Sequence, residues 1–460
     1  MALFTNVTNV VSGRSLPGRF ARRQPHSGGP VCHPAVMPSG GRKRSDVWLR
    51  WTASLAWLGA LVVFGLYGLL AAAPLCPHAA AADSAAQVLA GQETPAEADA
   101  PVFRPGRSGK GQLRFINEVA VLSVEGTPQE IGRQQAELIG AAANQLAQYP
   151  QEFFKRLGKQ EQWETVVQRA RALAENIPEQ HRAEMAAFAE HAGGDRQLGL
   201  VANVLPDMYR SVFACSSLIV TTQRSATGEP LFGRNLDFFT LGVLDRYSLV
   251  TVYRPKGKNA FAAVGFPGLF GVFSGINEHG LALAVHEVLL ARDGSPMFDP
   301  KGVPYAFCFR RILEECRTVE EAEKLLLDTP RTTRLNLAVC DRKSAAVIEM
   351  TPKTVALRRD EAGICICTNH FRTKQLETLF VCRRYLTLSQ AKQTEKLSLD
   401  DVAKKLDQVN QGALTVQTMV FEPQRLRLHL AAGSCPSSAL PLKLVELKPL
   451  FSPEAPAEKP

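Results

Sequence analysis

The chain has 460 residues, with 53 Lys and Arg against 44 Asp and Glu, a formal net charge of +9. A hydrophobic fraction of 45% is ordinary for a globular protein and excludes a wholly disordered chain. Residues 1–50 hold eight bases and one acid, which leaves only +2 for the other 410 residues. The basicity thus belongs to the N-terminal tail, the body shows no zinc-finger, helix-turn-helix or RNA-binding pattern, and no nucleic-acid partner is expected.

Residues 1–50 are rich in Gly, Pro, Ser and Arg without hydrophobic period, and read as a disordered basic tail. No charged residue occurs from 51 to 82, and the stretch 51–73 is long enough to cross about 30 Å of hydrocarbon as a helix. Trp48, Trp51 and Trp57 suit an interfacial belt, and the bases lie only on the N-terminal side. The positive-inside rule puts the tail in the cytoplasm and the rest of the chain outside, periplasmic or extracellular. The small residues from His78 to Asp83 also suit signal-peptidase cleavage, so a secreted product is the alternative to a membrane anchor. Residues 74–110 read as a linker. The ten cysteines form no disulfide framework, no CxxC pair and no zinc spacing, so no metal or cofactor is expected and most thiols read as buried small hydrophobes.

The body begins with a strand at 114–124. Thr127-Pro128-Gln129-Glu130 then opens a helix, with a capping hydroxyl, proline at the first helical position and glutamate three residues on. Helical period continues to about Tyr149 and returns at 161–176 and 178–192, so 111–214 forms a mainly helical part. From Phe213 short apolar strands alternate with turns: 215–222, 230–234, 247–254, 261–264, 271–276 and 281–287. Helices follow at 303–315 and 318–328, then strands at 334–341, 345–350, 354–358 and 363–368. A helix begins at Ser398, two strands lie at 415–421 and 426–431, and 447–460 reads as a disordered tail. Strand blocks separated by helices predict an α+β fold of two sheets with helices outside, its second part spanning 215–446.

Chemistry concentrates in four places. Cys215-Ser216-Ser217 opens an apolar strand. Gly233-Arg234-Asn235-Leu236-Asp237 ends the next one, and alternation puts Asn235 and Asp237 on one face and Arg234 on the other. Gly275-Ile276-Asn277-Glu278-His279-Gly280-Leu281 is a turn leading to His286-Glu287, and Thr368-Asn369-His370-Phe371 closes a further strand. Charged groups among apolar neighbours need partners. Asn277 and Gly280 suit a hairpin turn, and His370 a structural histidine.

This ordered set, over residues 114–435, resembles the N-terminal nucleophile hydrolases, specifically the branch similar to acyl-coenzyme A:isopenicillin N acyltransferase. More distantly it is similar to choloylglycine hydrolase, penicillin V acylase and acid ceramidase. The resemblance implies a four-layer αββα sandwich, here preceded by the helical part and the N-terminal transmembrane helix. It implies a precursor that cuts itself at Ala214–Cys215, leaving two fragments that stay associated. It also implies an enzyme whose Cys215 thiol carries an acyl thioester during hydrolysis or transfer at linear amides of small molecules. The freed α-amine, with a pKa of about 7.7–8.0, then serves as general base. By the same resemblance Arg234 favours the thiolate, Asp237 holds the new amine, Asn369 donates to the oxyanion and Arg384 steadies the site. Glu287 stands where bile-salt-type relatives have asparagine and ceramidase-type relatives glutamate.

Two competing readings use the same residues. One is a papain-like protease with His286 or His370 as base, which a strand-borne cysteine disfavours, because such thiols normally open a helix. The other is a membrane-anchored binding protein of the same fold without catalysis.

Overall fold

The computed structural model describes residues 101–209 and 213–452. The basic tail, the 51–73 segment and most of the linker lie outside the described residues, as does 453–460. Among the described residues no helix is long and apolar enough to cross a membrane.

Asn117 and Glu118 adopt left-handed backbone, with φ of 47° and 69°, and fold the expected single strand at 114–124 into a hairpin. Strands β1 (Gly106–Ser108) and β2 (Gly111–Ile116) precede this turn, and β3 (Val119–Gly126) follows it. The tight two-residue turn is invisible to period-2 reading, because the apolar residues resume on its far side. Helix α1 (Pro128–Leu146) starts as its capping box predicts: Thr127 N donates to Glu130 Oε2 at 2.7 Å, and Glu130 N donates to Thr127 Oγ1. It stops at Leu146, and α2 (Tyr149–Arg156) begins separately, with Pro150 in its first turn. Then come α3 (Trp163–Ala174), α4 (Glu179–His191) and α5 (Arg196–Met208). Gly132 lets α1 and α4 cross backbone to backbone, since a Cβ there would lie 2.3 Å from the Glu184 carbonyl oxygen.

The remaining elements follow the expected order. They are β4 (Phe213–Val220), β5 (Leu231–Phe238), β6 (Leu249–Pro255), β7 (Phe261–Gly265), β8 (Ser274–Asn277) and β9 (Ala282–Glu287). Helices α6 (Tyr305–Glu315) and α7 (Val319–Asp328) lead to β10 (Leu335–Cys340), β11 (Ala345–Met350), β12 (Val355–Arg359) and β13 (Ile364–Cys367). Last come α8 (Arg383–Ser389), α9 (Leu399–Asp407), β14 (Thr415–Glu422), β15 (Arg427–Ala432), β16 (Lys443–Glu446) and α10 (Lys448–Phe451). The sequence reading lacked β1, α2, α5, α8, β16 and α10, all but α5 too short to show a period; β1 lies in the stretch read as linker and α10 in the one read as disordered tail, where Phe103, Leu450 and Phe451 are buried.

Two sheets result. One has ten strands in the order β1-β2-β3-β6-β7-β8-β9-β10-β11-β12, and the other has six, β13-β4-β5-β14-β15-β16. Every pairing is antiparallel except β3 with β6, where Val121 to Gly126 align with Val250 to Pro255. Alternation sorts the apolar side chains into layers. Val121, Val252, Ala262, Ala284, Ala338 and Val347 of the large sheet pack against Ile219, Phe232, Met419 and Phe421 of the small one. The opposite face of the large sheet (Leu122, Val124, Leu283, Leu337) meets Ile139 of α1 and Phe309 and Ile312 of α6. The opposite face of the small sheet (Leu218, Val220, Val420) meets Leu388 of α8 and Val402 and Leu406 of α9. The order helix, sheet, sheet, helix is the αββα layering that the motif set implies.

A buried ionic cluster ties the early helices to α6. Arg310 Nη2 donates to Glu184 Oε2 at 2.5 Å, and Arg310 Nε donates to Glu314 Oε1 at 2.8 Å. His181 Nε2 lies 3.0 Å from Glu314 Oε2, and Gln135 Nε2 donates to Glu184 Oε1 at 2.7 Å. All eight described cysteines are free thiols, and seven are buried.

Candidate functional site

Cys215 is the third residue of β4, an interior strand of the small sheet between β13 and β5. It alternates with Ser217 and Ile219, so its side chain lies on the face toward the large sheet, and it is fully buried. Its main chain is held from two directions. Cys215 N donates to Asn369 Oδ1 at 2.8 Å, and Arg384 Nη1 donates to Cys215 O at 2.5 Å. The same guanidinium reaches Ser216 Oγ at 3.0 Å and, through Nη2, Asn369 Oδ1 at 2.8 Å. Arg384 is buried on α8, whereas its neighbour Arg383 is exposed.

Arg234 and Asp237 fall on opposite faces of β5, as alternation predicts. Arg234 lies between the sheets, where Nη1 donates to Val285 O at 2.8 Å. Asp237 lies on the helix-facing side, where Thr415 Oγ1 donates to its Oδ1 at 2.7 Å and Arg384 Nη1 stands 4.0 Å from its Oδ2. Burial pushes the Cys215 thiol above its usual pKa, and the Arg234 charge pulls only part of the way back. Burial also pushes the Asp237 carboxyl up, to about 6, against the pull of Arg384, Thr415 and Arg234. Since its folded pKa is raised above 3.8, Asp237 favours the fold most below pH 3.8, and that contribution is lost as pH rises through about 6. Asp237→Asn is therefore expected to abolish the part of the stability change that falls between pH 4 and 6. Urea unfolding of the two proteins across that range checks it.

Glu287 closes β9 and is buried; its main-chain carbonyl accepts from Asn369 Nδ2 at 2.9 Å. In the continuous chain Asn369 therefore turns its oxygen to the Cys215 amide and gives one of the two N–H groups of its NH₂ to the Glu287 carbonyl. Five of the six residues singled out from the sequence thus join in one chain of contacts, Glu287–Asn369–Cys215–Arg384–Asp237, while Arg234 lies on the opposite face of β5 from Asp237.

Three neighbours escape sequence reading. Asn336 of β10 donates from Nδ2 to the carbonyls of both Thr368 and His370, at 3.0 and 2.9 Å, and so clamps the main chain on either side of Asn369. Glu349 of β11 accepts from Arg372 N and Thr373 N at 2.9 Å each, and fixes the turn that follows. Thr415 orients Asp237. The available signal was a lone polar residue in a wholly apolar strand, as in Leu335-Asn336-Leu337 and Ile348-Glu349-Met350. His370 is occupied structurally: Nδ1 lies 2.9 Å from Thr368 Oγ1, and the ring packs on Phe380 and Tyr385.

A cavity of about 650 Å³ opens among α1, α4, α5 and the 266–273 loop. Its lining is mainly apolar and includes Leu146, Met185, Phe188, Phe238, Phe270 and Phe273. Cys215 does not line it, but Phe273 belongs to the same packed group as Cys215 and Leu236.

The site thus sits in a two-sheet αββα core with a buried cysteine on an interior strand. Residues 224–433 match the family model described as acyl-coenzyme A:6-aminopenicillanic acid acyl-transferase, which is the resemblance carried by the motifs. The match includes Arg234, Asp237, Glu287, Asn369 and Arg384 and begins after Cys215. Protein dcd1B of Dictyostelium discoideum is 24% identical over 196 residues, 42% of this chain and 38% of that protein, so the chain spans well under half of this curated relative's length. Among solved structures, a Caenorhabditis elegans ortholog of N-acylethanolamine-hydrolyzing acid amidase is 18% identical, with 49% of this chain and 95% of that one covered and a TM-score of 0.38. A mutant conjugated bile acid hydrolase from Clostridium perfringens is 14% identical, with 52% and 95% covered and a TM-score of 0.36. Penicillin V acylase from Agrobacterium tumefaciens is 14% identical, with 50% and 84% covered and a TM-score of 0.32.

Proposed function

We propose that this chain is a self-processing amidohydrolase or acyltransferase whose nucleophile is Cys215. The observation that carries the reading is the double hold on one residue. Asn369 takes the Cys215 N–H and Arg384 takes the Cys215 carbonyl, while the thiol points between the sheets toward Arg234. In the first step the thiol sulfur attacks the Ala214 carbonyl carbon. The C–N bond breaks, the nitrogen takes the thiol proton and becomes the Cys215 α-amine, and Ala214 is left as a thioester. Water then attacks that thioester, releasing the Ala214 carboxylate and restoring the thiol.

The same chemistry then runs on substrate. The freed amine stays against Asn369 Oδ1 and takes the thiol proton. The thiolate, stabilised by Arg234, attacks a linear amide, and the leaving amine receives the proton as the acyl thioester forms. Hydrolysis delivers the acyl group to water and transfer delivers it to another amine. Asp237 orders Arg384 and the nearby amine. Asn369 donates to the oxyanion with the second N–H of Nδ2, the first being held by the Glu287 carbonyl. Developing charge of this kind is worth roughly 3–4 kcal/mol per donor in such sites. The apolar lining of the 650 Å³ cavity favours a small molecule with an apolar acyl group. Pairing of β3 with β6 supports continued association of the fragments, because one hydrogen-bonded sheet contains residues from both sides of the cut. We further propose that 51–73 anchors the protein to a membrane with this core outside the cytoplasm, which its apolar length and flanking bases support.

N-terminal sequencing of purified protein tests the reading: a fragment beginning Cys-Ser-Ser-Leu is expected. An intact 214–215 bond in protein that is inactive on linear amides would overturn it.

A further inference from the structure

We propose that His286 is a positioning residue for Arg234. Its imidazole, on the inner face of the large sheet, shares a buried compartment with the Arg234 guanidinium, and a hydrogen bond closed between them, directly or through one water, fixes that group against the Cys215 thiol. The inference rests on the reading of Cys215 as nucleophile given above.

His286 follows Val285 on β9, and Ala282 and Ala284 on the same face pack between the sheets, so the His286 ring points there too. Arg234 points into the same space from β5 and already bonds the adjacent Val285 carbonyl through Nη1. Three of its donor positions matter. Nη1 is used, while Nε and Nη2 are buried and have no hydrogen-bond partner among the described residues. The His286 ring is fully buried, and neither Nδ1 nor Nε2 has a partner there either. The main chain of Ala284 and Asn336 lies beside the ring without meeting hydrogen-bond geometry.

Unmet donors and an unmet acceptor thus share one dry compartment. Leaving both unpaired is costly, and closing the pair, directly or through one water, satisfies each. The ring must be neutral to accept. Burial first, then the charges of Arg234 and Arg384, hold its pKa well below the usual histidine range, so it stays neutral. A guanidinium is a rigid planar fork, and its aim is set by all the acceptors it meets. Val285 O alone leaves it free to swing about one bond. A second acceptor at His286 leaves the remaining N–H directed at the thiol. Ser217 of β4, opposite Arg234 in register and with a buried hydroxyl lacking a partner among the described residues, completes the wall of this compartment.

The test compares His286→Phe, which keeps the ring volume but removes the acceptor, with His286→Gln, whose carbonyl oxygen restores one. Appearance of the Cys215 N-terminus is followed in time, and kcat, KM and the pH dependence of Cys215 alkylation are measured on the cut protein. Loss of one hydrogen bond to a charged group predicts kcat and cutting rate lower by about 10–100-fold in His286→Phe, with KM little changed. The alkylation profile is expected to shift to higher pH, and His286→Gln to recover most of both losses. Wild-type rates and alkylation in His286→Phe would overturn the inference, as would equal loss in both variants with lowered melting temperature. If Cys215→Ala turns over substrate like wild type, the nucleophile reading itself fails, and this inference falls with it.

Discussion

Cys215→Ala is expected to remain a single uncut chain and to lose turnover by roughly four orders of magnitude or more, the scale seen when a covalent nucleophile is removed. The fold should survive. The change trims one atom in a strand whose main-chain contacts to Asn369 and Arg384 do not involve the thiol. Mass spectrometry and circular dichroism on one preparation check both halves. Cys215→Ser is informative beside it. A hydroxyl keeps the shape but is far harder to ionise, so cutting is expected to be slowed in the serine variant rather than abolished. A Cys215→Ala protein that is cut normally at 214–215 would assign the scission to another agent.

The second large effect concerns stability. Arg310 is fully buried and holds two buried carboxylates, Glu184 and Glu314. Arg310→Met is expected to cost about 3–5 kcal/mol, because it leaves both acids without their cation. Adding Glu184→Gln and Glu314→Gln to that variant should recover most of the loss, since no uncompensated charge then remains. Chemical unfolding of the three proteins decides. Burial alone pushes the Glu314 carboxyl up, but Arg310 and His181 outweigh it and hold its pKa at about 2. That contribution is present above pH 4.5 and is lost as pH falls through about 2, so the wild-type advantage over the triple variant should shrink toward strong acid.

Much of this arrangement was legible in the sequence, for identifiable reasons. Strand alternation alone put Arg234 and Asp237 on opposite faces, and the structure sends one to Val285 and the other to Thr415. The capping box at Thr127 marked a helix start to the residue, because it is local chemistry. The hairpin at Asn117 was not legible, because a two-residue turn barely interrupts the pattern around it. The clamp from Asn336 was hidden differently. Its target is the main chain 32 and 34 residues away, and carbonyl partners leave no trace in side-chain spacing. The orientation of Asn369 was equally out of reach, since it depends on two donors, Cys215 N and Arg384, arriving from different elements.

If the chain is cut at 214–215 as proposed, the parallel seam between β3 and β6 changes its thermodynamics. Before scission, restoring that seam closes a loop within one molecule, an event indifferent to concentration. Afterwards the same six-residue alignment must be rebuilt by two separate polypeptides colliding. Unfolding then becomes a dissociation, its midpoint moves with dilution, and the native form persists chiefly because the halves never part. Maturation of this kind trades a reversible fold for one guarded by its barrier to escape.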